Sequence, residues 1–314
     1  MRVGKTAFFI FVLLVLMLLA PSRYFESVRD GVLLFTASVL PSMLPYFFFT
    51  KIFTSVGGAE GISGTLGKPI SKAYGVSPIC GYAFVMSLLS GYPVGARVLA
   101  DLYEKGCIDR EDVLCASSFA STSGSMFVLG SVGSAILGNV KMGWVILICH
   151  YVGAILNGFL FCLQKRKTKK VIVPSLPVTP ADNLLSDAMY ESVLSLALVG
   201  GFIAVTNLLA DMTTDVLVFF GATFPREGSV FAGVFFSFFE VTRGCVVFSG
   251  CGLPACFTAA FAGAAISFGG LSVIFQTVAF IGKAGVSVGK ILLRKTAQAV
   301  LTFLLCLGVG FLVL

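Results

Sequence analysis

The chain has 314 residues, of which 57% are hydrophobic and only 12% are charged. Soluble proteins carry about a quarter charged residues, so this composition excludes a soluble globular domain and indicates a polytopic α-helical membrane protein. The formal net charge of +7 does not indicate nucleic-acid binding. The cations concentrate at the ends of apolar segments and in one linker, as the positive-inside rule expects.

The first apolar segment, TAFFIFVLLVLMLLA, follows Arg2 and Lys5 and resembles a signal peptide in that respect. Its apolar core is long, however, and Pro21 follows Ala20 where a small-residue cleavage motif would end. We therefore expect a retained anchor helix with an outer loop in residues 1–30.

Residues 31–163 form the first of two predicted repeats. In chain order we expect a span at Gly31–Thr50, a surface stretch at Lys51–Tyr74, interrupted apolar segments at Ser77–Tyr103 and Val113–Leu137, and a plain span at Met142–Leu163. Residues 164–185 are a basic and then proline-rich linker.

Residues 186–314 repeat this order and form the second predicted repeat. A span at Ser186–Ala210 precedes a polar stretch with Asp211, Asp215, Arg226 and Glu227. Two interrupted segments follow, GVFFSFFEVTRGCVVFSG and CFTAAFAGAAISFGGLSVIFQTVAFIGK, and a final span is expected at Arg294–Leu314. The alternative is that the two halves look alike only because any two polytopic stretches do.

The charged loops predict the orientation of the repeats. With the linker cations Lys165, Arg166, Lys167, Lys169 and Lys170 in the cytoplasm, the N-terminus and the cluster Lys283, Lys290, Arg294 and Lys295 lie on the same side. This holds if the segments around Gly91 and Arg243 are re-entrant hairpins. The loop Pro21–Asp30 and the stretch Asp211–Glu227 then lie outside. The halves enter the membrane from opposite sides, which predicts an inverted repeat.

Four interruptions of apolar helices carry the candidate site. An unpaired backbone amide in lipid costs several kcal/mol, so a broken helix must face protein or a water-lined cavity, and transporters bind solute and ion at such breaks. The candidate substrate- or ion-binding residues are Ser87, Ser90, Gly91, Tyr92, Pro93, Ser121, Thr122, Ser123, Gly124, Ser125, Glu240, Thr242, Arg243, Ser267, Gly269, Gly270 and Gln276, with Ser272 in the same motif as the last four. Alternatively, these Ser and Gly residues only allow close helix packing.

Glu240 and Arg243 are charges inside an otherwise apolar stretch, where each costs at least ~2.5 kcal/mol. At spacing i, i+3 they can pair on one helical face. Either the pair is structural, or Glu240 binds a cation or proton and Arg243 binds an anionic or polar group of the solute. Arg97 and Asp101, at i, i+4, favour an interfacial salt bridge.

The remaining reactive side chains predict neither catalysis nor a metal site. The single His150 is expected to be a packed or interface-facing side chain in preference to a proton relay. The nine cysteines lie mostly in apolar segments and contain no CxxC pair, so they favour small apolar packing. No nucleotide-binding or hydrolase motif is present, and we expect no enzyme and no cofactor.

The motifs LSGYPVGARVLADLYEKG, STSGSMFVLGSVG and SFGGLSVIFQ resemble the YlbJ-type sporulation membrane proteins of spore-forming Firmicutes. The resemblance runs from about Gly31 to the last span. These proteins carry the nucleoside-recognition or "Gate" domain, which also occurs in concentrative nucleoside transporters, bacterial ferrous iron transporter B and the spore maturation proteins.

The resemblance implies two Gate-like repeats, an inner-membrane location and a role in sporulation, where the group is linked to forming the spore cortex. By position, the binding role of the nucleoside transporters falls on Ser87, Ser90, Gly91, Tyr92, Ser123, Glu240, Thr242 and Gln276. This sequence lacks a clear nucleobase-binding Gln/Asn–Thr–Glu signature, which puts a nucleoside substrate in doubt.

We therefore expect a secondary transporter of a small polar or charged solute. Without an ATP-binding motif, its energy source is expected to be a gradient of Na+ or H+. The alternative is a non-transporting membrane scaffold for envelope or spore assembly. The expected partners are an unidentified solute, the lipid bilayer and, as a plausible further one, a second copy of the chain.

Overall fold

The computed structural model describes residues 2–162, 183–224 and 228–314. Every regular element in these ranges is helical. The α-helices are α1 Arg2–Leu19, α2 Pro21–Leu34, α3 Leu40–Ser55, α4 Gly58–Thr65, α5 Gly67–Tyr74, α6 Cys80–Ser90, α7 Val94–Glu104, α8 Arg110–Ala116, α9 Val140–Phe161, α10 Leu184–Phe219, α11 Val230–Phe239, α12 Val241–Ser249, α13 Ala255–Phe268, α14 Gly270–Ile281 and α15 Val288–Val313. Residues Phe35–Val39 and Phe127–Ile136 are π-helical, and Gly282–Ala284 is a 3₁₀ turn.

Five helices within the described residues are long and apolar enough to cross a membrane. They are Pro21–Ser55, Val140–Phe161, Leu184–Phe219, Ala255–Ala284 and Val288–Val313, and each exceeds the roughly 20 residues that the hydrocarbon layer requires. The chain is therefore an all-α polytopic membrane protein, as predicted. The predicted linker cations and Arg226 and Glu227 lie outside the described residues.

Two polar stretches predicted to be loops are helical. Residues 21–30, expected as an outer loop, form most of α2, and α10 continues past Ala210 to Phe219. Some of the charges that suggested loops have partners between these two helices: Arg23 forms an ion pair with Asp215, and the hydroxyl of Ser27 donates to Asp211. These contacts stabilise the two helices where they extend through the polar residues.

The start of the last helix also differs from the prediction. Helix α15 begins at Val288, not at Arg294. Arg294 and Lys295 therefore lie well inside the helix, and only 8% and 3% of their surfaces are exposed. They are not part of a solvated cluster with Lys283, because neighbouring helices cover them.

Contacts between the helix ends define two ends of the molecule. At the Lys51 end, Lys51 forms an ion pair with Glu191, Lys283 pairs with Glu104 at 2.8 Å, and Arg110 donates to the carbonyl of Ala284 at 3.1 Å. At the Arg23 end, Arg23 pairs with Asp215, and Lys141 donates to the carbonyl of Val313 at 2.7 Å. Arg23 and Asp215, which the charge pattern assigns to the outside, thus lie at the opposite end from Lys283, which it assigns to the cytoplasmic side.

The interruptions are real breaks in the helices. In the first half, α6 and α7 form a helical hairpin with its tip at Gly91–Pro93, and the chain unwinds between Ala116 and Ser125. In the second half, α11 and α12 form a hairpin with its tip at Glu240, and α13 and α14 meet at Gly269. The re-entrant course of the hairpins and the inverted relation of the halves stay predictions.

Each hairpin tip packs on the break in the helix that follows it. A Cβ atom added to Gly91 would lie 2.2 Å from the amide nitrogen of Gly124, and one added to Gly270 would lie 2.8 Å from the carbonyl oxygen of Phe239. Both glycines have positive φ, 81° and 70°, which other residues rarely adopt. Both positions therefore require glycine, because the backbone has a positive φ and because there is no room for a side chain.

We predict that Gly91→Ala lowers the free energy of unfolding by about 1–3 kcal/mol or more, because it combines the strain of this backbone conformation with a backbone clash. Thermal unfolding of the purified protein measures the change. The control is Gly201→Ala in α10, where an added Cβ meets nothing within 4 Å and helix propensity favours alanine. Equal midpoints for the two variants would contradict the proposed packing of the tip.

Candidate functional site

A small pocket of about 40 Å³ lies between the interrupted helices. All four interruptions supply part of its polar lining: Tyr92, Ser123, Glu240, Thr242, Ser272 and Gln276. Apolar side chains of the first long helix and of α10 close the rest, among them Met43 and Ile203. A volume of this size holds a few waters or one ion. The sequence motifs thus meet at one place, and their binding role stays a prediction.

The pocket has hydrogen-bond acceptors among mostly apolar side chains. Glu240 is 1% exposed, and its carboxylate accepts from the backbone N–H of Arg243 at 2.7 Å and from the Thr242 hydroxyl at 3.1 Å. Gln276 donates its amide to the Ser272 hydroxyl at 3.1 Å, and its buried Oε1 atom has no hydrogen-bond partner within the described chain. The acceptors that face the pocket therefore suit a cation or a donor group.

Of the two alternatives for Glu240 and Arg243, the side-chain ion pair is wrong. Glu240 is extended (φ −143°, ψ 123°) and is the N-cap of α12, so the two residues do not share a continuous helical face. The guanidinium of Arg243 instead donates to Asn207 Oδ1 at 2.7 Å and to Asp211 Oδ1 at 2.8 Å. Its charge is thus neutralised by α10, away from the pocket.

The unwound segment after α8 is held by side chains from other helices. The Ser87 hydroxyl accepts from the Thr122 N–H at 2.8 Å and shares a 2.6 Å hydrogen bond with the Thr122 hydroxyl. The Ser123 N–H donates to His150 Nε2 at 2.9 Å. These bonds replace the intrahelical partners that the break removes.

His150 is fully buried and acts as a packed hydrogen-bonding side chain. Because Nε2 accepts from the Ser123 N–H, the proton of the neutral ring lies on Nδ1. Nδ1 lies 2.7 Å from the Ser267 hydroxyl, which in turn donates to the Thr302 hydroxyl at 2.7 Å. His150 therefore joins the second and fourth interruptions, which agrees with the packed interpretation of this residue.

Lys295 is a buried cation that sequence reasoning missed. Its ammonium donates to the Ser121 carbonyl at 2.5 Å, to the Tyr92 hydroxyl at 3.3 Å and to Gln298 Oε1 at 3.4 Å. The Tyr92 hydroxyl donates onward to the Ile266 carbonyl at 2.8 Å. A signal for this placement is the spacing of Lys295 and Gln298, which puts two polar residues on one face of α15.

The other predicted residues lie around the pocket but do not line it. The Ser90 hydroxyl donates to Thr50 at 2.7 Å, and Pro93 faces a larger cavity. The residues that belong to the supporting structure and not to the pocket lining are Ser87, Ser90, Gly91, Pro93, Ser121, Thr122, Gly124, Ser125, Arg243, Ser267, Gly269 and Gly270.

The larger cavity, about 270 Å³, lies near the Lys51 end between α3, the first hairpin and α10. Arg97 lines it, and its guanidinium donates to Glu191 at 2.8 Å and to the Ser195 hydroxyl at 2.8 Å. Asp101, the predicted partner of Arg97, lines the same cavity. It forms no ion pair with Arg97, because α10 brings the carboxylate of Glu191 closer. Tyr92 lines the small pocket and Pro93 the large cavity, so the hairpin tip separates the two.

Two cysteines depart from the expectation of apolar packing. Cys115 in α8 and Cys162 after α9 form a disulfide with a Cα–Cα distance of 5.4 Å. The residues are 47 positions apart, and the sequence spacing held no signal for the pair.

Fold and pocket define the class: an all-α polytopic membrane protein with a small pocket, mostly apolar, to which the interrupted helices contribute polar side chains. The chain is similar to the "Sporulation integral membrane protein YlbJ" of Bacillus subtilis (strain 168), with 25% identity over 313 residues that cover 89% of this chain and 76% of that protein. This similarity confirms the predicted YlbJ-type resemblance, whereas the Gate domain stays a prediction. No family model and no solved structure matches the chain.

We predict that His150→Phe lowers the free energy of unfolding by about 1–3 kcal/mol, because the buried N–H of Ser123 loses its acceptor. Thermal unfolding in detergent measures the loss. Trp144→Phe, on the same helix but 51% exposed, is the matched control and should change stability little. An unaltered midpoint for His150→Phe would show that the unwound segment does not depend on this bond.

Proposed function

We propose that the protein is an ion-coupled secondary transporter of a small polar or charged solute that acts in sporulation. The convergence of residues from all four helix interruptions on one pocket with hydrogen-bond acceptors carries the proposal. The sporulation role is proposed from the name of the relative.

The small pocket is best suited to the coupling ion. Its volume of about 40 Å³ is too small for most solutes, which occupy pockets of roughly 300 Å³ or more. The Glu240 carboxylate and the free Gln276 Oε1 are oxygen ligands for Na+, and the carboxylate is also a site for H+. The two ions remain alternatives for the experiment to separate.

We predict that Na+ or H+ stabilises the wild-type protein through Glu240. Binding to the folded state alone raises stability by about 1.4 kcal/mol at tenfold excess over Kd. Thermal unfolding is measured with NaCl against choline chloride, and across pH, for the wild type and Glu240→Gln. The variant is expected to lose the response that the wild type shows.

The control for this experiment is Glu104→Gln, an exposed carboxylate that pairs with Lys283 at the Lys51 end. It should keep the ion response of the wild type. A response that is equal in Glu240→Gln, or missing from the wild type, would rule out Glu240 as the coupling site.

Solvent access to the central residues distinguishes a transporter from the alternative, a non-transporting scaffold. We predict that cysteines placed at Ser90, Ser123 or Glu240, in a background without the free native cysteines, react with a membrane-impermeant maleimide from both sides of the membrane. Alternating access exposes a central site to each side in turn, whereas a scaffold leaves the sites unlabelled.

Two reference positions calibrate the labelling. Cysteines at Arg23 and Lys283 lie exposed at opposite ends of the molecule, so each should react from one side only. Protection of all three central positions, with both reference sites reactive, would favour the scaffold.

A further inference from the structure

The cavity at the Lys51 end has features of a binding site of its own. It measures about 270 Å³ and has a charged and a hydroxyl-bearing lining. The charged residues are Lys51, Arg97, Asp101, Lys105 and Glu191, and the hydroxyl-bearing residues include Thr50, Thr54, Tyr82 and Ser195. The cations exceed the carboxylates by one. A volume just under that of drug-sized pockets fits a small solute.

A single carboxylate oxygen serves two cations in this cavity. Glu191 Oε2 accepts from Lys51 Nζ and from Arg97 Nη2 at 2.8 Å. An ammonium has three donors and a guanidinium has five, so both cations retain donors for a second acceptor. Asp101 is a second carboxylate on the lining, but it forms no ion pair with these two cations of the described chain, so both of them bind the same Glu191 oxygen.

Glu191 is also the most exposed member of the group. Its side chain is 42% exposed, against 30% for Lys51 and 26% for Arg97. The Arg97 guanidinium is held in the wall by a further bond, which it donates to the Ser195 hydroxyl at 2.8 Å. The carboxylate can therefore turn away while this guanidinium stays in place.

We propose that this cavity binds the phosphate or carboxylate group of a small anion, which replaces Glu191 on Lys51 and Arg97. Arginine and lysine are the side chains that bind such groups, arginine through parallel N–H donors. The hydroxyls of Thr50 and Tyr82 on the same lining suit the polar remainder of the molecule. The binding of the anion is independent of the proposed function. The further step, that the anion is the transported solute, rests on that function.

The position of the cavity links it to the central pocket. Its inner wall includes Pro93 of the hairpin tip, and Thr50 on the same wall accepts from the Ser90 hydroxyl at 2.7 Å. An anion held here therefore lies on one side of the tip, and the central pocket lies on the other. The two sites have opposite electrostatic preferences, a cation for the pocket and an anion for the cavity.

The test is equilibrium binding to the full chain in phosphatidylcholine nanodiscs. Inorganic phosphate and acetate are the probes, and potassium chloride keeps the ionic strength constant. Thermal unfolding is expected to show saturable stabilisation by at least one probe. Lys51→Gln and Arg97→Gln are expected to weaken its binding about tenfold or more, since charge pairs at interfaces couple at this strength. Glu191→Gln is expected to tighten it about tenfold, because the internal competitor is gone.

Lys283→Gln is the matched control, because Lys283 is a cation at the same end whose side chain is 75% exposed and paired with Glu104. A second arm replaces part of the phosphatidylcholine by phosphatidylglycerol. Stabilisation by that lipid alone, lost in Lys51→Gln, would identify the anionic group as a lipid headgroup rather than a free solute.

The variants are expected to change the affinity for the probe in opposite directions, so the experiment can contradict the proposal. If Arg97→Gln fails to fold, Lys51→Gln and Glu191→Gln still decide. No saturable response to phosphate, acetate or phosphatidylglycerol overturns the site. So does a response that Lys51→Gln leaves unchanged, or one that Glu191→Gln weakens. Binding without transport would refute the proposed function and leave the anion site standing.

Discussion

The structure depends on one constraint: backbone groups released by a broken helix inside the apolar layer need partners from the protein. An unsatisfied N–H or C=O there costs several kcal/mol, so each break has to be matched by side chains from elsewhere in the chain. His150 accepts from Ser123 N–H, Ser87 accepts from Thr122 N–H, and Lys295 donates to the Ser121 carbonyl. Helices α6, α9 and α15 are thus tied to one unwound segment, and this links distant parts of the sequence.

The same constraint explains why polar groups gather at the central pocket, although most of its lining is apolar. Side chains that satisfy a break must lie at the depth of the break, and the first hairpin tip packs on the second interruption as the second tip packs on the fourth. Hydroxyl, amide and carboxylate groups from all four interruptions are therefore concentrated in one layer. Some of these side-chain atoms have no hydrogen-bond partner in the described chain, as at Gln276 Oε1. Such an acceptor is left for a ligand.

The sequence predicted the positions of the interruptions, because proline, glycine and clustered hydroxyls within an apolar helix indicate a break at that point. It failed where the partner is remote. Glu240, three residues away, was the partner considered for Arg243, whereas α10 supplies Asn207 and Asp211. Lys295 was assigned to a basic cluster on the cytoplasmic side, because nothing in its own segment shows the Ser121 carbonyl that it binds. The pairing of Cys115 with Cys162 and the Lys51–Glu191 contact likewise depend on tertiary packing.

Helix α10 joins two ionic clusters at opposite ends of the molecule. Near its start, Glu191 binds Arg97 of the first hairpin and Lys51 of the first long helix. Near its end, Asp211 and Asp215 bind Arg243 of the second hairpin and Arg23 of that same long helix. Each cluster thus ties a hairpin to the two longest helices. Under the proposed transport function, access from the Arg23 end requires Arg243 to leave Asp211, and the separated charges need water to hydrate them. Asn207 is 3% exposed, whereas the opposite cluster borders a 270 Å³ cavity, so the cluster at the Arg23 end is the more tightly packed of the two.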